Sequence, residues 1–439
     1  MRYYLGILFA VIVLVIPWMA MNYPSESRSL LLGIENAGSE LAAVIVSHNP
    51  KTIADLRADY RGTNSSGVLP VAPKKVRILL VPGHEPNYGG AEYGSLYERN
   101  MTVELAQDLQ KFLAGNSRYQ VVTTRDTAGW NPVFADYFKA DWNDISAWEQ
   151  AHKTETVDLE RLGQFHTTTP AVEHQTVPND VAMRIYGIDK WVDENDVDIV
   201  IHIHFNDYPT HPRGTPGKYT GFAIYVPEKQ YDNSTTTHAL ADSVFKRIAK
   251  YNPVSDLPGE SSGIVEDQDL IAIGAYNSVD AASMLIEYGY IYEPQFTDSS
   301  LHAQALNDLA FQTYLGLQDF FDPSNAVNLA GSFDTLLVPH PWRAPVTADS
   351  SSADIYALQT ELLLDGDYPP ARKDFNDCPR TGSIGPCTKA ALDVFQKKYG
   401  ISGEAGTVGM KTVGQLNKLF GAGAGAGSGA GAGMTVKSL

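Results

Sequence analysis

The sequence predicts an α/β fold, a mostly parallel sheet with helices on both faces, followed by a small all-α domain near the C-terminal end. Three observations carry this expectation. The runs VRILLV (76–81), YQVVTTR (119–125), VDIVIHIHF (197–205), GFAIYV (221–226) and SMLIEYGYI (283–291) are β-rich and apolar on both faces, as strands covered from two sides must be. Helical segments such as MTVELAQDLQKFLAG separate several of them, an alternation that leads to parallel pairing. At 439 residues the chain also exceeds what one hydrophobic core usually organises.

The chain begins MRYYLGILFAVIVLVIPWMAMNYP, with Arg2 and then no charge until Glu26. That run is close to bilayer-spanning length, so residues 1–22 read as a membrane anchor or a signal segment. A cut after Ala20 would set bulky Trp18 where a small residue is needed, which favours the anchor. Either way the bulk of the chain is expected outside the cytoplasm. Residues 23–74 end in NSSGVLPVAPK and read as a spacer. The sheet domain is expected over 75–321, with 127–180 as an insertion that contains His152, His166 and His174 and is longer than an ordinary connection. Residues 322–353 lack apolar periodicity and read as a linker, 354–420 as a small helical unit, and the Gly/Ala-rich 421–439 as a flexible tail.

Hydrophobic residues make up 44% and charged residues 19%, enough for a sizeable core. The formal net charge of -18 has no offsetting lysine-arginine cluster, which argues against a nucleic-acid partner. The two cysteines, Cys378 and Cys387, are close together and outside any CxxC pattern. They fit a local disulfide better than a zinc knuckle, and a disulfide needs an oxidising compartment.

In open α/β sheets, ligand sites gather beyond the carboxyl ends of the strands. His84 stands at such an end, after Pro82 and Gly83, and the glycine is expected to let the backbone turn so that the imidazole enters the crevice. Glu98 lies shortly before the helix expected from Met101. In IHIHFND, His202 and His204 share a face by period-two alternation. His204 is nearer the strand end and is the better ligand, and His202 is expected deeper, satisfied by a hydrogen bond. Glu287 interrupts an apolar strand, where an unpaired carboxylate is costly. Each residue alone has an ordinary reading: a core histidine, or a helix-start acid at Glu98. Together, two imidazoles and a carboxylate suit zinc with a position left for water, and a further carboxylate can move protons, the design of a hydrolase.

These residues resemble the zinc-dependent N-acetylmuramoyl-L-alanine amidases, which cleave between the glycan and the stem peptide of peptidoglycan. VPGHE resembles the family's Pro-Gly-His turn, YERN its metal-binding glutamate, IHIHFND its Ile-His-Ala-Asn strand end, and LIEYGYI its catalytic-glutamate strand. The resemblance, over about 76–320, implies that His84, Glu98 and His204 bind zinc and that Glu287 is the catalytic base. VVTTRD resembles the family's strand ending in Thr-Arg and adds alignment rather than chemistry. Val81, Glu85 and Phe205 depart from the common Asp, Gly and Ala. Some members cover their zinc with an inserted segment, so 127–180 is a candidate autoinhibitory element.

Most of 354–420 resembles three-helix peptidoglycan-binding domains, through YALQTELLLDGDYP and GPCTKAALDVFQKKYGISGEAGTVGMKTVGQLNKLF. Ala391, Leu392, Val394 and Phe395 supply its expected apolar helix face, and such a module would concentrate the enzyme on an insoluble polymer. Two rivals stay open: a zinc carboxypeptidase or endopeptidase acting on stem peptides, and a catalytically inactive wall-binding envelope protein. A protein activator, if one is needed, is not legible in the sequence.

Overall fold

The computed structural model describes residues 50–63, 74–174, 176–208, 211–212, 214–274, 280–323 and 333–422. The chain divides into a smaller unit, residues 1–49 with 149–167, and a larger one, residues 50–148 with 168–439. The apolar N-terminal run and the Gly/Ala-rich tail beyond residue 422 lie outside the described residues. Among the described residues no helix is long and apolar enough to cross a membrane.

Helix α1 (Ile53–Arg61) precedes strand β1 (Val76–Pro82), and a hairpin of β2 (Glu92–Tyr93) and β3 (Leu96–Tyr97) leads into α2 (Glu98–Ala114) and β4 (Tyr119–Thr123). Helices α3 (Pro132–Ala140), α4 (Trp142–Arg161) and α5 (Asn179–Glu194) follow, then β5 (Ile199–Asn206), β6 (Ala223–Pro227), α6 (Ser234–Ala249), β7 (Ile264–Asp267) and β8 (Ala282–Tyr290). The chain continues through α7 (Pro294–Thr297) and α8 (His302–Phe321) to three C-terminal helices, α9 (Ser352–Leu364), α10 (Pro386–Lys398) and α11 (Met410–Phe420).

The six-stranded sheet has the order β4-β1-β5-β8-β6-β7. β4, β1, β5 and β8 run parallel; β6 is antiparallel to β8 and carries β7 parallel to itself. Thus the sheet is mostly parallel, as the sequence predicts. The direction of β6 was not legible because a fully buried strand shows the same apolar run either way. Ile78, Leu80, Ile201, Ile203, Met284 and Ile286 face a core shared with α2, α6 and α8. In α2, Met101, Leu105, Leu109 and Leu113 recur every four residues and are all buried, the stripe a core-facing helix needs. Leu79, Val81 and Val200 face the opposite way, against Phe134 of α3 and Trp191 of α5. Strand alternation therefore puts His202 and His204 on that second face, away from Ile201 and Ile203.

Two segments expected to be irregular are packed. Within the spacer reading, α1 has a capping box between Thr52 and Asp55 and a left-handed Gly62 at its end, the start and stop signals of a helix. Its Leu56 is fully buried, and Arg57 Nε donates to the Phe320 carbonyl at 2.8 Å. Within the linker reading, Leu337 enters the core of the sheet domain, while Val338, Trp342 and Val346 enter that of the C-terminal helices.

The C-terminal helices bury Leu358, Leu362, Leu392, Phe395, Val413 and Leu416 around a common core. Val394, expected on the apolar face, is exposed instead. Cys378 and Cys387 form a disulfide with a Cα–Cα distance of 5.8 Å. This helical unit is docked on the sheet domain through Arg380, which is buried. Its guanidinium donates to the Tyr251 carbonyl at 2.8 Å and to Thr360 Oγ1 at 2.7 Å, lies 4.3 Å from the Tyr356 ring centroid, and stands 3.9 Å from Asp308 Oδ2. Removing one partner of a buried charge pair strands the other, so Arg380→Ala is expected to lower the unfolding free energy by about 3 kcal/mol, as read from urea denaturation.

Candidate metal centre

Three chain segments meet where the parallel strands end. His84 follows β1, Glu98 opens α2 one residue after β3, and His204 is near the end of β5. One ligand atom from each lies within 4.8 Å of the other two. His84 Nε2 is 2.8 Å from Glu98 Oε1, and His204 Nδ1 is 3.2 Å from the same oxygen, with the two imidazole rings crossed at 74°. Yet His84 Nε2, inaccessible to solvent, makes no hydrogen bond. At His84, close approach without hydrogen-bond geometry fits nitrogen and oxygen donors that share a divalent cation, while His204 Nδ1 hydrogen-bonds the same oxygen; two imidazoles and a carboxylate are a donor set such cations accept.

Glu98 is held from both sides by backbone. Ala91 N–H donates to Oε2 at 2.8 Å and Phe205 N–H to Oε1 at 3.0 Å. Burial alone would raise its pKa, but the adjoining His84 and His204 overcome that and hold the carboxyl well below the usual carboxylate range. Burial lowers the pKa of His204, which keeps the imidazole neutral and able to coordinate. Phe205 points the other way, into the core beside Phe296, so its departure from the family pattern alters packing rather than the centre.

Glycines let these side chains converge, though not as the sequence reading has it. Gly83 is absent from the positive-φ positions, and His84 itself takes the left-handed conformation at φ 69°, a strained choice for a residue with a Cβ. Gly83 is needed for space: a Cβ there would lie 2.3 Å from His204 Cε1. At Gly90, φ 81°, a Cβ would lie 2.7 Å from His84 Cδ2 and 3.0 Å from Glu98 Oε2.

Arg125 fixes the turn that carries His84. Buried, it donates to the carbonyls of Pro82 (3.1 Å), Gly83 and Arg99 (2.9 Å), tying the end of β1 to the first turn of α2. Burial brings its pKa down to about 10, still well above neutral. The Thr-Arg of VVTTRD is therefore structural support for the centre. Glu85 is buried and accepts from Arg184 Nε of α5 at 2.6 Å, and Arg184 also holds Asp180 and the Tyr88 hydroxyl.

Glu287 lies directly across from His204 in the β5–β8 ladder, so both side chains rise from the same face. Its Oε2 is inaccessible and without a hydrogen-bond partner. Burial, then the charges of Glu98 and Glu260, raise its pKa well above the usual value. His202 is buried as expected, but its Nε2 lacks the expected hydrogen bond. Burial, with His204 adding to it, pushes its pKa down to about 3, so the ring is accommodated as a neutral group instead. The side chains of His84 and His204 keep 27% and 18% of their surface exposed, so solvent reaches the centre. Within the 127–180 segment, Val172 packs with Ala223, Tyr225 and Leu285, while Asp180 is tied through Arg184 to Glu85, the residue after His84.

The N-acetylmuramoyl-L-alanine amidase family matches residues 78–319, more than half of the chain. The chain belongs to this family. No curated protein matches it. Among solved structures, this amidase is similar to the CwlD amidase of Clostridioides difficile, itself in complex with the GerS lipoprotein, at 12% identity and a TM-score of 0.36, covering 57% of this chain and 100% of that one. Ami1, the N-acetylmuramyl-L-alanine amidase of Mycobacterium smegmatis, gives 12% identity, a TM-score of 0.36 and the same coverage. Because a side chain at position 83 would displace the amidase's His204 imidazole, Gly83→Ala is expected to weaken divalent-metal binding at least about tenfold, the range seen when support around ligands is disturbed. Metal titration of the folded variant checks this.

Proposed function

We propose that this amidase uses zinc, held by His84, Glu98 and His204, to hydrolyse the amide bond between N-acetylmuramic acid and L-alanine in peptidoglycan. The observation that carries the reading is the meeting of two imidazoles and one carboxylate, with Glu287 directly across the ladder from His204. Zinc in such a site lowers the pKa of water and polarises a carbonyl. Glu287 is assigned the proton work: it accepts a proton from the attacking water and delivers it to the leaving nitrogen of L-alanine. Its part-buried place among apolar strand residues suits that task, because a carboxylate with few hydrogen bonds is a stronger base than one in water. Glu98 and the two histidines keep the centre in place, and Arg125 keeps His84 aimed at it.

The disulfide and the family's substrate support a location outside the cytoplasm. We assign the C-terminal helices to peptidoglycan binding and the N-terminal apolar run to membrane anchoring, both on their sequences. The packing at Arg380 gives the first assignment a geometric consequence. Because the unit is docked at Arg380, a polymer bound to it is held against the sheet domain rather than on a loose tether.

Digestion of purified sacculi tests the reaction. The expected product is an intact stem peptide with a new L-alanine amino terminus; fragments cut within the peptide would show the endopeptidase or carboxypeptidase chemistry instead. His84→Ala is expected to lose bound zinc, measured by atomic absorption on the folded protein. Glu287→Ala is expected to retain zinc while kcat falls about 10²–10⁴-fold, the usual contribution of a general acid–base group.

A further inference from the structure

We propose that Glu260 is a positioning residue for this hydrolysis, a buried carboxylate that staples three neighbouring strands and so fixes Glu287 relative to His204. The proposal rests on the amidase reading of the site, and it concerns a residue outside the metal-binding group.

Glu260 lies between α6 and β7 and is fully buried. It accepts four hydrogen bonds, two on each oxygen: Tyr225 OH at 2.7 Å and Asn206 Nδ2 at 2.8 Å on Oε1, Ser255 Oγ at 2.5 Å and Tyr290 OH at 3.2 Å on Oε2. Three of these donors come from β5, β6 and β8, which are adjacent in the sheet in the order β5-β8-β6. None of the four is a cation, so this carboxylate is not half of an ion pair with them. Two lone pairs on each oxygen are all used, which is what makes burial of the group tolerable.

The place of the staple gives it a function. The β5–β8 ladder is in register up to His204 and Glu287, then shifts, so that the next pair is Asn206 with Tyr290. One more residue lies between the pairs on β8 than on β5. Such a bulge bends the strand and re-aims the side chains beside it, and here those side chains are a metal ligand and the catalytic base. Glu260 holds both residues of the pair beyond the bulge, Asn206 and Tyr290. Its own loop is wedged in turn, because a Cβ at Gly259 would lie 2.3 Å from the Ala171 carbonyl oxygen.

Two substitutions separate position from charge. In Glu260→Gln, the amide oxygen can keep Asn206 and Tyr225, and the NH₂ group can donate to the hydroxyls of Ser255 and Tyr290, which also accept. All four contacts survive without the charge. Glu260→Ala removes all four. The expected result, with sacculi as substrate, zinc content confirmed and each variant compared at its own pH optimum because the Glu260 charge also acts on Glu287, is kcat within about threefold of the parent for Gln. For Ala, kcat falls about 10²-fold, the scale of a 1 Å misplacement, with KM and zinc stoichiometry unchanged. An alanine variant that keeps its kcat, a loss confined to KM, or a glutamine variant as slow as alanine would each overturn the proposal. If the alanine variant does not fold, the double change Ser255→Ala with Tyr290→Phe strips one oxygen of its donors and should lower kcat in the same way; an unchanged kcat there overturns it equally. Crystal structures of these variants read the staple apart from the reaction. Glu287 should move relative to His204 when the four contacts are lost, and an unchanged separation sinks the staple even if the parent proves to cut a different bond.

Discussion

The architecture turns on one carboxylate. Glu98 opens a helix, yet its two oxygens are committed to other parts of the chain: the backbone of Ala91 and Phe205, and the imidazoles of His84 and His204. A charged group in that place is costly unless its neighbours compensate, and every nearby feature serves that compensation. Gly90 lets the backbone close over it, and Gly83 lets His204 approach. Arg125 locks the β1 turn to the first turn of α2. A divalent cation among these groups would complete the charge balance.

The sheet converts that local arrangement into a site for chemistry. Parallel pairing brings the carboxyl ends of β1, β5 and β8 to one edge, and the exact-match pairing of His204 with Glu287 sets the proposed proton acceptor one strand away from the proposed ligand. The apolar alternation that builds the core also fixes which face is reactive. Ile201, Ile203 and Phe205 go into the core with α2, α6 and α8, so His202 and His204 must face the other way. A one-residue slip of β5 would bury both histidines among aliphatic side chains and aim phenylalanine at the centre.

Much of this was legible in the sequence because the signals are local. Strand runs, the glycine break before His84 and the amphipathic stripe of α2 each lie within a few residues. What escaped depends on contacts between distant segments. Arg125 looks like any strand-end arginine until its carbonyl partners are known, and Gly83 like a turn glycine until the His204 ring is seen against it. Glu260 stands in a polar loop with no motif around it; only the fold shows it accepting from three strands. The antiparallel course of β6 and the four-residue β7 are topological facts that an apolar run cannot encode. By contrast, α1 carried a readable signal in Thr52, Asp55 and Gly62, overridden by the proline- and serine-rich sequence that follows it. The exposure of Val394 reflects the width of the α10 apolar face, which Ala391, Leu392 and Phe395 already fill.

The most direct measurement of the central claim is anomalous diffraction at the zinc absorption edge from crystals of the purified protein. The account predicts one peak within bonding distance of His84, Glu98 and His204, with the Glu287 carboxyl next to the remaining coordination position. A peak bound elsewhere, or these three side chains engaged only with one another in zinc-replete crystals, would contradict it.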